Sequence, residues 1–308
     1  MLELQKALAL KAYPKKFVIS GGSNMLLTKD IDALVLHINI KGISVVEEDD
    51  DMVVVQAMAG ENWHEFVMWA IDRGYGGIEN LSLIPGNVGT APIQNIGAYG
   101  VEIKDIFVSC SGYFLNTLEK KKFELNDCQF SYRSSIFKKS LRNKFIITEV
   151  VLKLSKTNHK ISKSYKSIND ALNKKKIHNP SIKDIARIVS KIRENKLPNP
   201  SSIGNSGSFF KNPIVSTEVL NKLKQKFSKL VYFKESESKY KLSAAWLIEN
   251  CGFKNIEEKN VGVYKNQALV IINLGNATGK EILLFSEKIK STVLEKFDIL
   301  LEEEVNIV

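Results

Sequence analysis

Between residues 74 and 100 the chain reads GYGGIENLSLIPGNVGTAPIQNIGAYG. This stretch holds Gly74, Gly76, Gly77, Gly86, Gly89, Gly97 and Gly100, seven of the 18 glycines in the protein. Glycine tolerates positive φ and lets another backbone or a ligand come close, because no Cβ stands in the way. So punctuated a stretch cannot run on as one long helix or flat strand, and it must fold as a series of tight turns. Successive unencumbered N–H groups in such turns form nests for anions. SGGSN at 20–24 repeats this chemistry directly after the apolar run KFVI. Two glycine turns from separate segments suit a dinucleotide pyrophosphate held between loops; the competing reading is a set of tight turns in a β-rich domain. The G-x-G-x-x-G fingerprint is missing, so a doubly wound nucleotide domain is not supported.

The rest of the first half reads as short strands. KFVISGG, ALVLHINI, DMVVVQAMA, DIFVSCSGYFL and FIITEVVLKL are apolar or alternating runs rich in Val and Ile. ENWHEFVMWAIDRGYGG predicts a helix, with Trp63, Phe66, Val67 and Ala70 at helical spacing and Gly74 after its end. Farther on, SIKDIARIVSKIRENK sets Ile182, Ile185, Ala186, Val189 and Ile192 on one stripe behind a Ser181/Asp184 start. LPNP then reads as an extended inter-domain crossing. A short helix at KLSAAWLIENCG and a strand at QALVIIN follow, then a helix behind a Thr278/Glu281 capping box, and ILLEEEVNIV reads as a closing strand. These elements predict an α+β protein in at least two parts.

Composition narrows the function classes. Cys110, Cys128 and Cys251 are odd in number and far apart, with no C-x-x-C pair. That argues against a disulfide framework or a structural metal site and favours a reducing, cytoplasmic setting. The N-terminus shows no signal-peptide pattern and no run approaches a membrane span, so no membrane partner is expected. The net charge of +10 raises the question of nucleic acid. The lysine-rich stretch 153–196 has Tyr165 as its only aromatic and offers no stacking platform or finger signature. A solvated basic face, or a pull on a small polyanionic substrate, accounts for it, and no nucleic-acid partner is expected.

GNSGSFFKNP at 204–213 poses the sharpest local question. Ser208 stands between a loose glycine pair and two bulky rings, as a turn serine or as a proton donor in a dry corner. If SFFKN is extended, Ser208, Phe210 and Asn212 share one face.

IPGNVGTAPIQNIGAYG, SYRSSIFK, KLPNP, GNSGSFFKNP and the terminal LEEEV occur in that order. With them the chain resembles the UDP-N-acetylenolpyruvoylglucosamine reductase (MurB) family of peptidoglycan synthesis, from about residue 17 onward. The resemblance implies a vanillyl-alcohol-oxidase-type FAD-binding domain of two subdomains plus a smaller α+β substrate-binding domain. The expected segments are 1–44 and 45–195 for the FAD subdomains, 196–298 for the substrate domain, and 299–308 for a strand returning to the active site. Family members usually carry a longer segment before the SGGSN loop, so the first subdomain is expected to be short.

The implied reaction reduces the enolpyruvyl ether of UDP-N-acetylglucosamine to a lactyl ether, with FAD carrying hydride from NADPH. FAD is expected to be noncovalent, since neither histidine nor cysteine falls in 74–100. By resemblance, Ser20, Gly21, Gly22, Ser23, Asn24, Pro85, Gly86, Val88, Gly89, Gln94, Asn95, Gly97, Ala98 and Gly100 hold it. Ser208 matches the family's general acid, Arg133 the arginine that stabilises the carboxylate and enolate, and Glu304 the catalytic glutamate. An arginine fork suits a planar carboxylate in a way lysine does not. The family usually has proline at the position of Glu303 and a basic residue at that of Asn306. Tyr165 resembles the tyrosine that lies over the substrate diphosphate in the family's first subclass, and Lys196 its phosphate-contacting lysine. Asn212 and Gln267 complete the expected substrate contacts. A monomer is expected. The competing enzyme reading is another FAD-dependent oxidase or dehydrogenase of the same fold.

Overall fold

The computed structural model describes residues 2–308 and divides into two compact units. The first takes the chain up to Gly22 together with Ile31–Arg193, and the second takes Ser23–Asp30 and Glu194–Val308. The sequence put the boundary at 195/196 and assigned residues 23–30 to the first subdomain. In the structure the division falls within a helix, and Ser23–Asp30 groups with the C-terminal unit because it pairs there.

In the first unit, α1 (Leu2–Ala9) buries Leu4 and Leu8 in a cluster with Leu36, Ile38, Ala59, Tyr113 and Ile146. β1 (Lys16–Ile19) and β2 (Leu34–His37) pair in parallel. The main sheet is antiparallel and comprises β3 (Ile43–Glu48), β4 (Met52–Met58), β5 (Phe107–Phe114), β6 (Lys120–Glu124) and β7 (Phe145–Ser155). Their order is β3-β4-β7-β5-β6. Val53, Val55 and Ala57 on β4 are fully buried and alternate with half-buried neighbours, as the period-2 pattern demands. The predicted helix is α2 (Trp63–Asp72), started by Asn62, whose side chain accepts from the Glu65 amide. Its Trp63, Phe66, Val67, Ala70 and Ile71 are at most 1% exposed, and burial of Phe66, Val67 and Ile71 contributes about 1.5–3 kcal/mol each. Two further helices, α3 (Lys166–Lys174) and α4 (Ile182–Lys196), share a small core of Ile168, Leu172, Ile185, Ile188 and Val189.

The second unit pairs β8 (Gly204–Ser208) with a later strand and β9 (Ile214–Ser216) with another, and α5 (Thr217–Lys226) follows. Next come β10 (Tyr232–Lys234), β11 (Lys239–Leu242) and α6 (Ala244–Asn250). β12 (Glu257–Glu258), β13 (Val261–Val263), β14 (Val270–Asn273) and α7 (Gly279–Phe297) complete the named elements. One sheet runs β8-β14-β13-β12 and another β9-β11-β10, both antiparallel. Thr278 and Glu281 form the predicted capping box of α7 in both directions. Among the described residues no helix is long and apolar enough to cross a membrane.

Two local expectations change. The terminal run is not a continuous strand: Asn306–Ile307 pairs in parallel with Met25–Leu26, and Glu303 makes a single bridge to Phe210. The adjacent acids are served by separate partners, Glu302 by Lys211 at 2.9 Å and Glu303 by Lys290 at 2.6 Å, so neither charge is left uncompensated. Alternation also fails across SFFKN. β8 ends at Ser208, and Phe209 and Phe210 are both buried in the core of the unit, 2% and 1% exposed.

Candidate active site

The two glycine turns of the first unit meet. A Cβ on Gly21 would lie 3.3 Å from Gly86 Cα and 3.1 Å from Asn87 Oδ1. Beside Gly21, the Ser20 hydroxyl is buried with no hydrogen-bond partner among the described residues. An orphaned buried hydroxyl beside a glycine–glycine approach is what a bound polar group would complete, so these residues fit the phosphate region of a flavin dinucleotide. Val88 and Gly89 serve differently: their amides donate to Glu61 and Ala59 carbonyls at 2.9 and 3.0 Å. They therefore fix the loop against the end of β4 rather than offering donors. Gly86 has φ +104 and its carbonyl accepts from Trp63, while Pro85 is exposed at the head of the turn.

Farther along the same loop, Asn95 is fully buried and its amide is committed. Its nitrogen donates to Glu102 Oε2 and the Ser131 carbonyl, and its oxygen accepts from Lys104. Asn95 thus holds the loop together instead of presenting its side chain, and Gln94 beside it is half-buried. Gly97–Ala98 pairs with Val101–Glu102 in a small hairpin. Its turn residues, Tyr99 and Gly100, both have positive φ, as a two-residue hairpin of the right twist requires.

Arg133 sits at φ +51 in a turn closed by Ser131 and Ser134, and its Nη2 donates to the Gly97 carbonyl at 2.7 Å. Its guanidinium lies 5.3 Å from the Tyr132 ring centre. Leu83, Asn95, Tyr99 and Arg133 all hold positive φ without being glycine, and such strained positions concentrate where a site over-determines the backbone. Arg193, on α4, joins them: its Nε donates to the Leu83 carbonyl at 3.2 Å. Burial pushes the Arg193 guanidinium below the ordinary arginine range, Tyr99 counters that, and Arg133 adds to it. Burial likewise raises the Tyr99 phenol. The sequence reading missed Arg193 and Tyr99. Arginine is scarce in this lysine-rich chain (Arg73, Arg133, Arg142, Arg187, Arg193), and that scarcity was a usable signal for Arg193.

In the second unit Ser208 pairs with Val270, at a point where the register shifts after Asn205. It is half-buried, and its hydroxyl makes no hydrogen bond among the described residues. The next carbonyl, of Phe209, accepts from the Glu304 amide at 2.8 Å, and the Lys211 amide donates to the Glu302 carbonyl at 2.9 Å. Asn24, the last residue of the SGGSN turn, is part of the same unit: its side chain donates to the Glu304 carbonyl at 3.3 Å. Ser23 beside it is half-buried, while Gly22 has φ +63.

The expected substrate residues divide. Tyr165 is 43% exposed, at the start of α3, with its ring edge-on to Tyr99 at 5.6 Å. Lys196 is exposed at the end of α4. Asn212 Oδ1 accepts from the Ala244 amide at 2.9 Å, so half of this side chain is already bound to the start of α6. Gln267 is buried, and its oxygen accepts from the Leu269 amide within its own turn.

Comparison with known proteins matches these two halves. A family model for an FAD binding domain covers residues 3–113, and one for the C-terminal domain of UDP-N-acetylenolpyruvoylglucosamine reductase covers 199–308. The UDP-N-acetylenolpyruvoylglucosamine reductase of Flavobacterium johnsoniae is 53% identical over 306 residues, 99% of this chain and 91% of that protein. The protein of the same name from Amoebophilus asiaticus is 46% identical over 293 residues, 95% of this chain and 86% of its own. The crystal structure of the Thermus caldophilus enzyme (MurB) shares the fold, with a TM-score of 0.64 at 20% identity over 99% of this chain and 88% of that one. The chain belongs to the UDP-N-acetylenolpyruvoylglucosamine reductase family, with an FAD-binding domain followed by the family's C-terminal domain.

Proposed function

We propose that this chain reduces the enolpyruvyl ether of UDP-N-acetylglucosamine to UDP-N-acetylmuramate, with NADPH as reductant. When bound, FAD supplies the hydride for the terminal carbon of the double bond. Negative charge then develops on the carbon beside the carboxylate and spreads into it. Arg133 holds that carboxylate in its planar fork and offsets the charge. The Ser208 hydroxyl donates the proton that completes the new C–H bond, and Glu304 orients the reacting group. Tyr165 and Lys196 contact the diphosphate, with Asn212 and Gln267 on the remainder of the substrate. We place the protein in a reducing, cytoplasmic setting, on the odd number and scattered positions of its cysteines.

The observation that carries this reading is the seam in the second unit. Glu304 donates to the Phe209 carbonyl directly after Ser208, whose hydroxyl is uncommitted. The test is to purify the protein, record its visible spectrum, and follow NADPH oxidation with and without enolpyruvyl-UDP-N-acetylglucosamine. A yellow protein with substrate-dependent oxidation is expected. A colourless protein that FAD cannot reconstitute would overturn the reading. Bound flavin without substrate-dependent turnover would instead favour another FAD-dependent oxidase or dehydrogenase.

A further inference from the structure

Asn80 is 1% exposed, in the short turn Glu79–Leu81 of the first unit. Its amide nitrogen donates to two carbonyls, of Tyr99 and of Ser162, each at 3.0 Å. Its oxygen is buried and has no hydrogen-bond partner among the described residues. The orientation follows from the partners, since a reversed amide would press its oxygen against two carbonyl oxygens. One side chain thus ties together two backbones that belong to different parts of the unit. Tyr99 lies in the glycine-loop hairpin, and Ser162 lies in the irregular strap between β7 and α3.

That strap is fixed at several points along its length. The Lys156 amide donates to the Asp51 carbonyl at 2.7 Å, and His159 Nδ1 shares a hydrogen bond with the Ser155 hydroxyl at 2.7 Å. Ile161 packs against two of the buried clusters of the unit. After Ser162 the strap passes over Gly100. A Cβ there would lie 3.6 Å from the Ser162 and Ser164 hydroxyls and 3.7 Å from Tyr165 Cε2. The strap ends at Tyr165, whose ring meets Tyr99 edge-on.

We propose that Asn80 is a positioning residue: by holding the Tyr99 and Ser162 carbonyls together it sets the pose of the Tyr99–Tyr165 ring pair toward the diphosphate end of the substrate. This rests on the reading above that Tyr165 contacts the diphosphate. Asparagine suits the position. Its two amide hydrogens match two carbonyls, whereas alanine leaves both buried acceptors unpaired and aspartate brings a second oxygen against them. Asn80 is 1% exposed with its amide nitrogen committed to these two carbonyls, so it acts through the rings.

The test is a double-mutant cycle of Asn80→Ala and Tyr165→Ala, read by KM for enolpyruvyl-UDP-N-acetylglucosamine, by kcat, and by flavin reduction with NADPH alone. Each single variant is expected to raise KM roughly tenfold, as the loss of about one good contact would. For Asn80→Ala, flavin reduction should stay within about twofold of the parent, since a positioning residue touches no reacting group. With Tyr165 already removed, Asn80→Ala should change KM less than about twofold, because coupled residues do not add. If Tyr165→Ala leaves KM unchanged, the substrate reading for Tyr165 falls and the inference with it. If Tyr165→Ala raises KM but Asn80→Ala does not, or the two effects multiply, or flavin reduction slows equally, the inference alone falls. Should Asn80→Ala give too little folded protein, Asn80→Ser takes its place in the same cycle, its hydroxyl offering one donor where the amide offered two.

Discussion

The backbone amide of Glu304 donates to the carbonyl of Phe209 at 2.8 Å, so the residue after Ser208 and the expected catalytic glutamate are stitched together by main chain. A main-chain bond of this kind does not depend on either side chain. Phe209, 2% exposed in the core, keeps the seam from shifting. The side chains of Ser208 and Glu304 can therefore be changed without unmaking the scaffold that carries them.

For Ser208→Ala we expect NADPH to reduce the flavin at nearly the parent rate. Transfer to the enolpyruvyl substrate should slow by roughly 10²-fold or more, the range of a lost general acid. Stopped-flow measurement of the two half-reactions decides it: equal losses in both would make Ser208 structural.

The three terminal acids should separate cleanly. Glu302 is largely exposed and pairs with Lys211, so Glu302→Gln should change Tm and turnover little. Glu303→Gln should lower Tm by removing the charge that pairs with Lys290, with turnover retained. Glu304→Gln should do the reverse. Turnover loss in Glu303→Gln equal to that in Glu304→Gln would reassign the catalytic position.

The Lys290 pair also carries a pH dependence. Burial works to lower the Lys290 ammonium, but its bonds to Glu303 and Glu287 outweigh that and hold it above the ordinary lysine range. A raised pKa in the fold stabilises fully below the unfolded value, about 10.4, and that stabilisation fades as pH climbs through the folded one. Thermal melts of the parent and Lys290→Met should therefore differ by a steady amount from about pH 6, where carboxylates are ionised, to about pH 10, and converge above it. A gap that widens in alkali would contradict this.

Gly89 offers a packing test. An added Cβ would lie 2.4 Å from the Ala59 Cβ and 2.9 Å from its Cα. Neither atom is a flexible side-chain end, so Gly89→Ala should cost about 1–3 kcal/mol as overpacking. Because Gly89 anchors the glycine loop, the variant should also retain less flavin on dialysis. Unchanged Tm together with parent flavin content would show that the loop can shift freely.

The thiols should react in a set order. A hydrogen bond to Cys128 and burial together raise the Cys110 thiol far above the usual range, while Cys251 is raised only by partial burial. Because thiolate is the reactive form, a thiol reagent at pH 8 should label the half-buried Cys251 well before Cys110, as peptide mapping would show.

Much of the local structure was legible because it is written in adjacent residues. The Thr278/Glu281 capping box, the α4 stripe and the α2 core positions each depend on contacts within a turn or two. The glycine spacing likewise signalled two turns, and Gly21 does lie against Gly86. What escaped depends on distant partners. No local pattern says that Met25–Leu26 will pair with Asn306–Ile307, nor that both Phe209 and Phe210 will be buried where alternation allows one. Asn80 and Arg193 escaped for the same reason: each is defined by carbonyls supplied from elsewhere in the chain.

The grouping of Ser23–Asp30 with the C-terminal unit has a consequence for synthesis. The chain passes between units after Gly22, after Asp30 and after Arg193, so neither unit is one uninterrupted stretch of the gene product. Asn24 leaves the ribosome 280 residues ahead of Glu304, to whose carbonyl it donates. Pairing across so long a separation closes slowly and only once both partners exist. A nascent chain can bury the first sheet early, yet the seam beside Ser208 must await nearly the whole of translation. Splitting the gene at the α4 boundary would strand one edge of that seam on the wrong fragment.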